Sequence, residues 1–499
     1  MHRENTRAAF SQRECRLQRR GSLQQLRKKK RDDAFLAAMS IENEISLDDE
    51  DEVIEVTETA VRELKEPIGG IDAVLKLKAI RCLRRICDRA HNRKPNPLNW
   101  VVKHAMIPSI AEALCQVDSP TRLNALCVLG SLAASTHAHA VAVIPAVPAL
   151  VAQLHGPDSR IVEHALCTLA NISFEDSAAR ATIVDQGVAR KALQLATGPG
   201  GTLGGRKSSV WALSCLCKSP LALAAIPLAV PTARLAASLV DELSALDPAI
   251  GEARTVEGML VEVLGALTTI VETDGRALTG AEGLAPRLLA AAATRPALTA
   301  ACFRLFGTII ADGPPAVVAE LGRGGLLDLA QTVLAAKPAD TVACEVCWTV
   351  SSLMLGPPDQ VMAVLGHSLF EFIISWAPRA SHAVQYEICY ILLNLINNGR
   401  SSDALQMAVY DMAVIDTVTE ILTQAVESDR LSLLAMKTLD TLLAHQPPTG
   451  DWAAMAEAAG VRDVLGRLTF SSNLRVYEQA IMLLDEYFPA DSDLSSDGW

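Results

Sequence analysis

Apolar residues recur along most of this chain in a helical rhythm, and no long alternation of apolar and polar residues competes with it. The block Leu123–Ala133 has the apolar pattern of one helix, and similar blocks return at intervals of about 40 residues. Its echoes are Val162–Ile172, Ser209–Leu216, Val263–Ile270, Cys344–Leu353 and Tyr386–Leu395. A second apolar helix, such as Val147–Leu154, follows most of them after a turn. The pattern predicts an all-α chain of repeated units.

The repeat length indicates which kind of helical array to expect. About 40 residues is the period of armadillo and HEAT repeats. A single set of amphipathic helices cannot bury its apolar face alone, so neighbouring units must stack into a continuous core with a concave groove. Residues 68–489 have room for about ten units, with the weakest pattern at 221–260. We therefore predict a right-handed superhelical solenoid of about ten armadillo repeats.

The distribution of charge divides the chain into four segments. Residues 1–31 hold eleven Lys/Arg and two Glu, a local charge of +9, whereas the whole chain carries −12, so the remainder carries −21. We predict a flexible basic arm over 1–43, an acidic linker over 44–67, the repeats over 68–489 and an acidic tail over 490–499. An acidic body repels phosphate and attracts basic peptides.

Other classes of protein receive little support from the sequence. No apolar stretch follows the basic N-terminus, and Leu221–Val230 is too short to span a bilayer. The twelve cysteines lie in apolar helical patterns and indicate a reducing compartment. Cys344 and Cys347 have CxxC spacing but no second pair at metal spacing. The Gly-rich stretch 198–209 lacks the ending of a phosphate loop. We expect no catalytic residues, metal or cofactor, and therefore no enzyme.

Three segments together resemble the importin-α family, the armadillo-repeat adaptors of nuclear import. They are Leu26–Asp33 (LRKKKRDD), Glu345–Leu353 with Asp359–Val364, and Asn473–Phe488. The resemblance covers nearly the whole chain. It implies an adaptor that binds basic nuclear localisation signals in its groove, docks to importin-β through its arm, and shuttles between cytoplasm and nucleus. Neither nucleic acid nor membrane is expected as a partner.

The resemblance also assigns roles at the two ends of the chain. The arm residues expected to meet acidic groups of importin-β are Arg16, Arg19, Arg20, Leu26, Arg27, Lys28, Lys29, Lys30 and Arg31. Tyr477 and Glu478 match the surface that the family offers to a nuclear export receptor. After the arm's basic run, Leu36–Met39 is uncharged where the family has a second basic cluster. We therefore expect the arm to compete poorly with cargo for the groove.

In this family a Trp on the inner helix of each repeat stacks on Lys or Arg, and an Asn one turn later binds the peptide backbone. This sequence keeps part of that ladder. At the major site Asn171, Glu175 and Trp211 remain, but cysteine or serine stands at Cys127, Ser131, Cys167 and Cys215. The minor site is better preserved, with Glu345, Trp348, Glu387, Tyr390 and Asn394, although Ser352 replaces Asn. We predict that Trp348→Ala weakens peptide binding more than Trp211→Ala.

Simpler interpretations stay open for these residues. A Trp or Tyr on a repeat helix can be a core side chain, Asn171 and Asn394 can bridge neighbouring helices, and the glutamates can be ordinary surface residues. The basic arm could also be a nucleic-acid tail or a mitochondrial presequence. The alternative function is an armadillo scaffold that binds non-classical partners through a degenerate groove.

Overall fold

The computed structural model describes residues 56–88, 96–198, 201–218, 227–398, 402–447 and 450–489. The basic arm, the first half of the acidic linker (44–55) and the tail 490–499 lie outside this part of the chain. The described residues form α-helices and short 3-10 turns without any strand, in two compact units that meet in sequence at Ala277 and Leu278. The prediction of an all-α repeat solenoid is confirmed.

The first unit contains fourteen α-helices within the residues described. They are α1 (Glu58–Glu63), α2 (Lys65–Gly69), α3 (Ala73–Asp88), α4 (Pro97–Lys103), α5 (Ile107–Glu112), α6 (Ser119–Ser135), α7 (His137–Val143), α8 (Val147–Gln153), α9 (Ser159–Glu175), α10 (Ser177–Asp185), α11 (Val188–Thr197), α12 (Leu203–Leu216), α13 (Ala229–Ala245) and α14 (Gly251–Thr273). Helices α1 and α2 thus begin ten and three residues before position 68, inside the segment that we assigned to the linker.

The second unit contains fourteen more in its described part. They are α15 (Leu284–Thr294), α16 (Pro296–Asp312), α17 (Pro315–Arg323), α18 (Leu326–Ala335), α19 (Asp340–Leu353), α20 (Pro358–Leu365), α21 (Ser368–Trp376), α22 (His382–Asn398), α23 (Ser402–Tyr410), α24 (Val414–Gln424), α25 (Asp429–Ala444), α26 (Trp452–Ala458), α27 (Val461–Leu468) and α28 (Leu474–Tyr487).

A row of successively packed long helices runs through each unit. In the first unit α3, α6, α9, α12 and α14 pack each against the next, and in the second α16, α19, α22, α25 and α28 do the same. Within each unit their starting residues are 40 to 48 positions apart, close to the armadillo period. Each long helix buries its apolar face against its neighbours, as a stacked array requires.

Local sequence signals explain where these helices begin. The carboxylates of Asp118 and Asp176 accept hydrogen bonds from the backbone N–H groups of Thr121 and Ala179, at 2.8 and 2.7 Å. A left-handed residue directly precedes five of the shorter helices. Before α24 it is Ala413, with φ of 52°, and before the other four it is a glycine, which adopts positive φ without strain. These glycines are Gly187, Gly283, Gly325 and Gly460, with φ between 78° and 92°. The recurrence of one turn at equivalent places is the mark of a repeated unit.

None of the described helices is by itself long and apolar enough to cross a membrane. One pair, Pro358–Leu365 with Ser368–Arg379, reaches that length and apolarity together, but it is bent by 65°.

Candidate functional site

An aromatic pair in the first unit already holds a lysine side chain. Phe174, near the end of α9, and Trp211, on α12, are stacked with ring centroids 6.3 Å apart and an interplanar angle of 22°. Both rings are half-buried and therefore partly open to solvent. The Nζ atom of Lys218 lies 3.5 Å from the centroid of Phe174 and 5.8 Å from that of Trp211. Cation–π attraction at this range is worth about 0.5–2 kcal/mol.

A buried arginine fixes this arrangement. The Arg180 side chain of α10 donates from Nε to the carbonyl of Ser173, at 2.7 Å, and from Nη1 to the carbonyl of Lys218, at 2.8 Å. Burial lowers the pKa of Arg180 from its ordinary value, although guanidinium stays charged at neutral pH. Because Ser173 precedes Phe174, one guanidinium positions both the ring and the lysine above it.

Carboxylates flank the aromatic pair. Glu163 on α9 accepts a hydrogen bond of 2.6 Å from the hydroxyl of Ser208, and Glu262 on α14 accepts one of 2.7 Å from Ser214. Both glutamates are half-buried, so they combine partial exposure with a fixed orientation. Sequence reasoning missed both, although Glu163 lies one turn before the ladder position Cys167 just as Glu345 lies one turn before Trp348.

The predicted major-site residues occupy neighbouring helices. Asn171 and Glu175 are on α9 and Trp211 is on the adjacent α12, with Asn171 buried and the other two half-buried. The cysteines that replace ladder residues are packing groups: Cys127 and Cys215 are buried. Burial raises the pKa of Cys167 to about 12, which keeps this thiol neutral at physiological pH. Ser131 donates back to the carbonyl of Cys127 within its own helix, at 2.9 Å.

In the second unit, the structure places the predicted minor-site residues of α19 in the packing between long helices. The Oε1 atom of Glu345 accepts from Nε and Nη2 of Arg304 on α16, at 3.1 and 2.7 Å. Trp348 is only 6% exposed. Its indole lies against Gly307 of α16, so closely that a Cβ atom at that glycine would be 2.5 Å from the ring. Glu345 is therefore paired with a cation of the protein itself.

The residues of α22 are similarly engaged. The side-chain amide of Asn394 donates to both the carbonyl and the hydroxyl of Ser351 on α19, at 3.0 and 2.8 Å. Tyr390 meets Tyr386 edge to face, with centroids 5.2 Å apart and the two hydroxyls 3.3 Å apart. Arg430 of α25 lies over the Tyr386 ring, 4.2 Å from its centroid. Glu387 and Tyr390 are each 7% exposed.

The structure thus brings the two predicted sets together within their own units, but with different exposure. The first unit offers a partly open aromatic pair between carboxylates, whereas the second has its ladder residues largely covered and paired. The arm residues 16–31 lie outside the described residues. Tyr477 and Glu478 are exposed on α28. Phe174 and Lys218 were missed from sequence, although Phe174 follows Asn171 by three positions, one helical turn.

No metal site appears among the residues whose placement is described, where no three His, Cys, Asp or Glu groups gather. Cys344 is half-buried and Cys347 is buried within α19, and neither belongs to a disulfide.

Comparison with known proteins supports the same repeat. Residues 139–174, which run from α7 to the end of α9, match the family described as Armadillo/beta-catenin-like repeat. A crystal structure titled as an engineered protein aligns with a TM-score of 0.67 and 19% identity, covering 85% of this chain and 98% of its own. A second engineered protein aligns with a TM-score of 0.35 and 18% identity, over 58% of this chain and 95% of its own. The chain is thus similar to armadillo-type solenoids, whose stacked repeats form scaffolds for binding other proteins.

Proposed function

We propose that this protein is a non-catalytic adaptor that binds lysine-rich segments of partner proteins, in the manner of importin-α. Cargo with a basic nuclear localisation signal would occupy the face of the long helices, and the arm 1–43 would dock to importin-β. Shuttling between cytoplasm and nucleus, with Tyr477 and Glu478 meeting an export receptor, belongs to the same proposal. The observation that supports it best is the Lys218 ammonium group held over Phe174 and Trp211.

The chemistry around that lysine suits a basic peptide. The aromatic faces attract ammonium groups, and Glu163 and Glu262 supply negative charge on the adjacent turns. Each exposed ion pair contributes only about 0–1 kcal/mol, so affinity must come from several contacts along an extended segment. The charge of −21 beyond residue 31 raises the local concentration of basic segments in the same direction.

The direct test titrates the full chain with a fluorescent lysine-rich peptide and with the same peptide carrying glutamine for each lysine. The proposal predicts saturable binding of the first peptide, weaker at higher salt because exposed charge pairs are screened. The glutamine peptide should bind at least roughly tenfold more weakly, a difference of about 1.4 kcal/mol. Equal affinity for the two peptides would contradict the proposal.

A second candidate function is a scaffold for non-classical partners. It is favoured by the second unit, where Arg304 pairs with Glu345 and Ser351 engages the amide of Asn394. Groups committed within the fold are less available to a peptide, because their bonds must be exchanged on binding.

Binding to importin-β separates the two candidates. A chain with Arg27, Lys28, Lys29, Lys30 and Arg31 all changed to Glu should lose importin-β if the arm is a docking segment. The matched control reverses five exposed cations of the helical units and so changes the net charge equally: Arg190, Arg234, Arg254, Arg323 and Lys337. Failure of the unmodified chain to bind importin-β would favour the scaffold.

A further inference from the structure

The first described helices of the first unit and the last described helices of the second unit each expose apolar side chains, where an outermost repeat ordinarily has a polar face. At the first end these are Ile71, Val74 and Leu75, exposed by 104%, 65% and 54%. At the other end they are Phe470, Leu474, Tyr477 and Met482. Seven of the twelve exposed large apolar residues in the described chain therefore lie at its two ends. Such clusters mark interaction surfaces.

The first end combines this apolar cluster with positive charge. On α3 the residues Val74, Lys78, Arg81 and Arg85 follow one another at spacings of four, three and four, which places them on one face of the helix. All four are exposed, and the opposite face of α3 is buried against the unit. We call this set the basic end stripe. The whole helix holds five Lys or Arg against one Asp.

The last described helix carries a stripe in the same register with the opposite charge. Leu474, Glu478, Ile481 and Asp485 of α28 also follow at spacings of four, three and four. Ile481 is half-buried and the other three are exposed. We call this set the acidic end stripe. The helix holds three carboxylates against one arginine, and it packs on α25 and α27 with no described helix after it.

We propose that the basic end stripe of one copy binds the acidic end stripe of another, so that the protein associates head to tail with itself. The occupant is a second copy because the two ends match in spacing, in apolar content and in sign of charge. Burying Val74 and Leu474 removes apolar area from water, while Lys78 and Arg85 meet Glu478 and Asp485. Such contacts between unlike ends are heterologous and add further copies unless a ring closes.

The test measures the weight-average mass of the full chain by sedimentation over a wide concentration range. At about 0.1 M salt the mass should rise from 53.2 kDa with concentration, and about 1 M salt should reduce the rise because it screens the charge pairs. Reversing one end (Lys78→Glu, Arg81→Glu and Arg85→Glu) should leave a monomer. Reversing the other (Glu478→Lys and Asp485→Lys) should do the same.

Mixing the two reversed variants is the decisive experiment. One variant keeps the acidic end stripe and the other keeps the basic end stripe, so the two can bind each other. The proposal predicts that an equal mixture forms complexes although neither variant does so alone. The control reverses Arg190, Arg234 and Arg323, which changes the net charge as much as the reversal of the basic end stripe but leaves both stripes intact, and it should associate like the unmodified chain. A mass of 53.2 kDa at every concentration would overturn the proposal. Association that survives either reversal, or a mixture that stays monomeric, would do the same.

Discussion

Several of the predicted peptide-binding residues in this protein pack against neighbouring helices or pair with groups of the protein itself. Trp348 shows this most clearly, because its indole occupies the space where Gly307 has no side chain. A glycine in a helix interior is ordinarily a weakness, costing about 0.5–1 kcal/mol relative to alanine. At Gly307 a larger residue would not fit, because the ring of Trp348 on the next long helix lies against the backbone.

We therefore expect Gly307→Ala to destabilise the protein by about 1–3 kcal/mol, since the new methyl group and the indole compete for the same space. The matched control is Gly258→Ala in the interior of α14, where nothing lies within 4 Å of the added carbon. That change should stabilise by about 0.5–1 kcal/mol. Urea unfolding followed by circular dichroism measures both, and a stabilising Gly307→Ala would contradict the close packing.

The proposed binding of basic peptides assigns a definite role to Lys218. If its ammonium group holds the place of a peptide lysine over Phe174, removing that group should open the place to a ligand. Lys218→Met should then strengthen binding of a lysine-rich peptide by roughly threefold to tenfold, about 0.6–1.4 kcal/mol. Lys191→Met, in the same unit, controls for the lost charge. Weaker binding by Lys218→Met, with the control unchanged, would show that Lys218 supports the site rather than occupying it.

Elements are tied together by side chains that bond to the backbone of the next repeat. Arg180 joins the ends of α9 and α12, Asn394 joins α22 to α19, and Thr349 of α19 donates to the carbonyl of Phe303 on α16, at 2.8 Å. The bonds of Arg180 to Lys218, of Asn394 to Ser351 and of Thr349 to Phe303 each join residues about one repeat apart. They therefore align the repeats in a way that apolar burial, which has no direction, does not.

Replacing Arg180 by Met tests this. The change leaves the carbonyls of Ser173 and Lys218 without their donor, at a cost of about 1–3 kcal/mol for each group left buried and unpaired. Arg160→Met is the matched control, because Arg160 is exposed and lies 3.7 Å from Asp158, a pair worth about 0–1 kcal/mol. Thermal unfolding should show a clear loss for the first variant and little for the second. Equal midpoints would contradict the role of Arg180.

The helical period was sufficient to predict the fold, because blocks such as Leu123–Ala133 bury a face that can only be covered by a similar block. The sites were harder to predict. Whether Glu345 faces a ligand or a partner within the fold depends on Arg304, 41 positions away, and sequence gives no register between repeats at that precision. Phe174 was missed for the same reason, since its stacking on Trp211 depends on how α9 and α12 pack.

The exposures also bear on the predicted ranking of the two tryptophans. Trp348 is 6% exposed, whereas Trp211 is half-buried beside Lys218. The prediction that Trp348→Ala is more harmful to peptide binding stays open. The geometry favours Trp211, because a ring must be reached before it can stack on a ligand.

At the scale of the whole molecule, charge is distributed with a consistent direction. A basic arm precedes an acidic body, and within the described residues the cation-holding aromatic pair lies on the long helices of that body. In the proposed adaptor, the segment that would meet a carrier and the surface that would meet cargo carry opposite charge, so each attracts a different class of partner.

The most direct test of the central claim is calorimetric titration of the full chain with a lysine-rich peptide, comparing Trp211→Ala with Trp376→Ala. Trp376 is also half-buried beside another aromatic ring, Phe372, but lies on the shorter helix α21. The account predicts that Trp211→Ala weakens binding by roughly fivefold to thirtyfold, about 1–2 kcal/mol, while Trp376→Ala leaves it unchanged. Unchanged affinity for Trp211→Ala, or an equal loss in both variants, would contradict it.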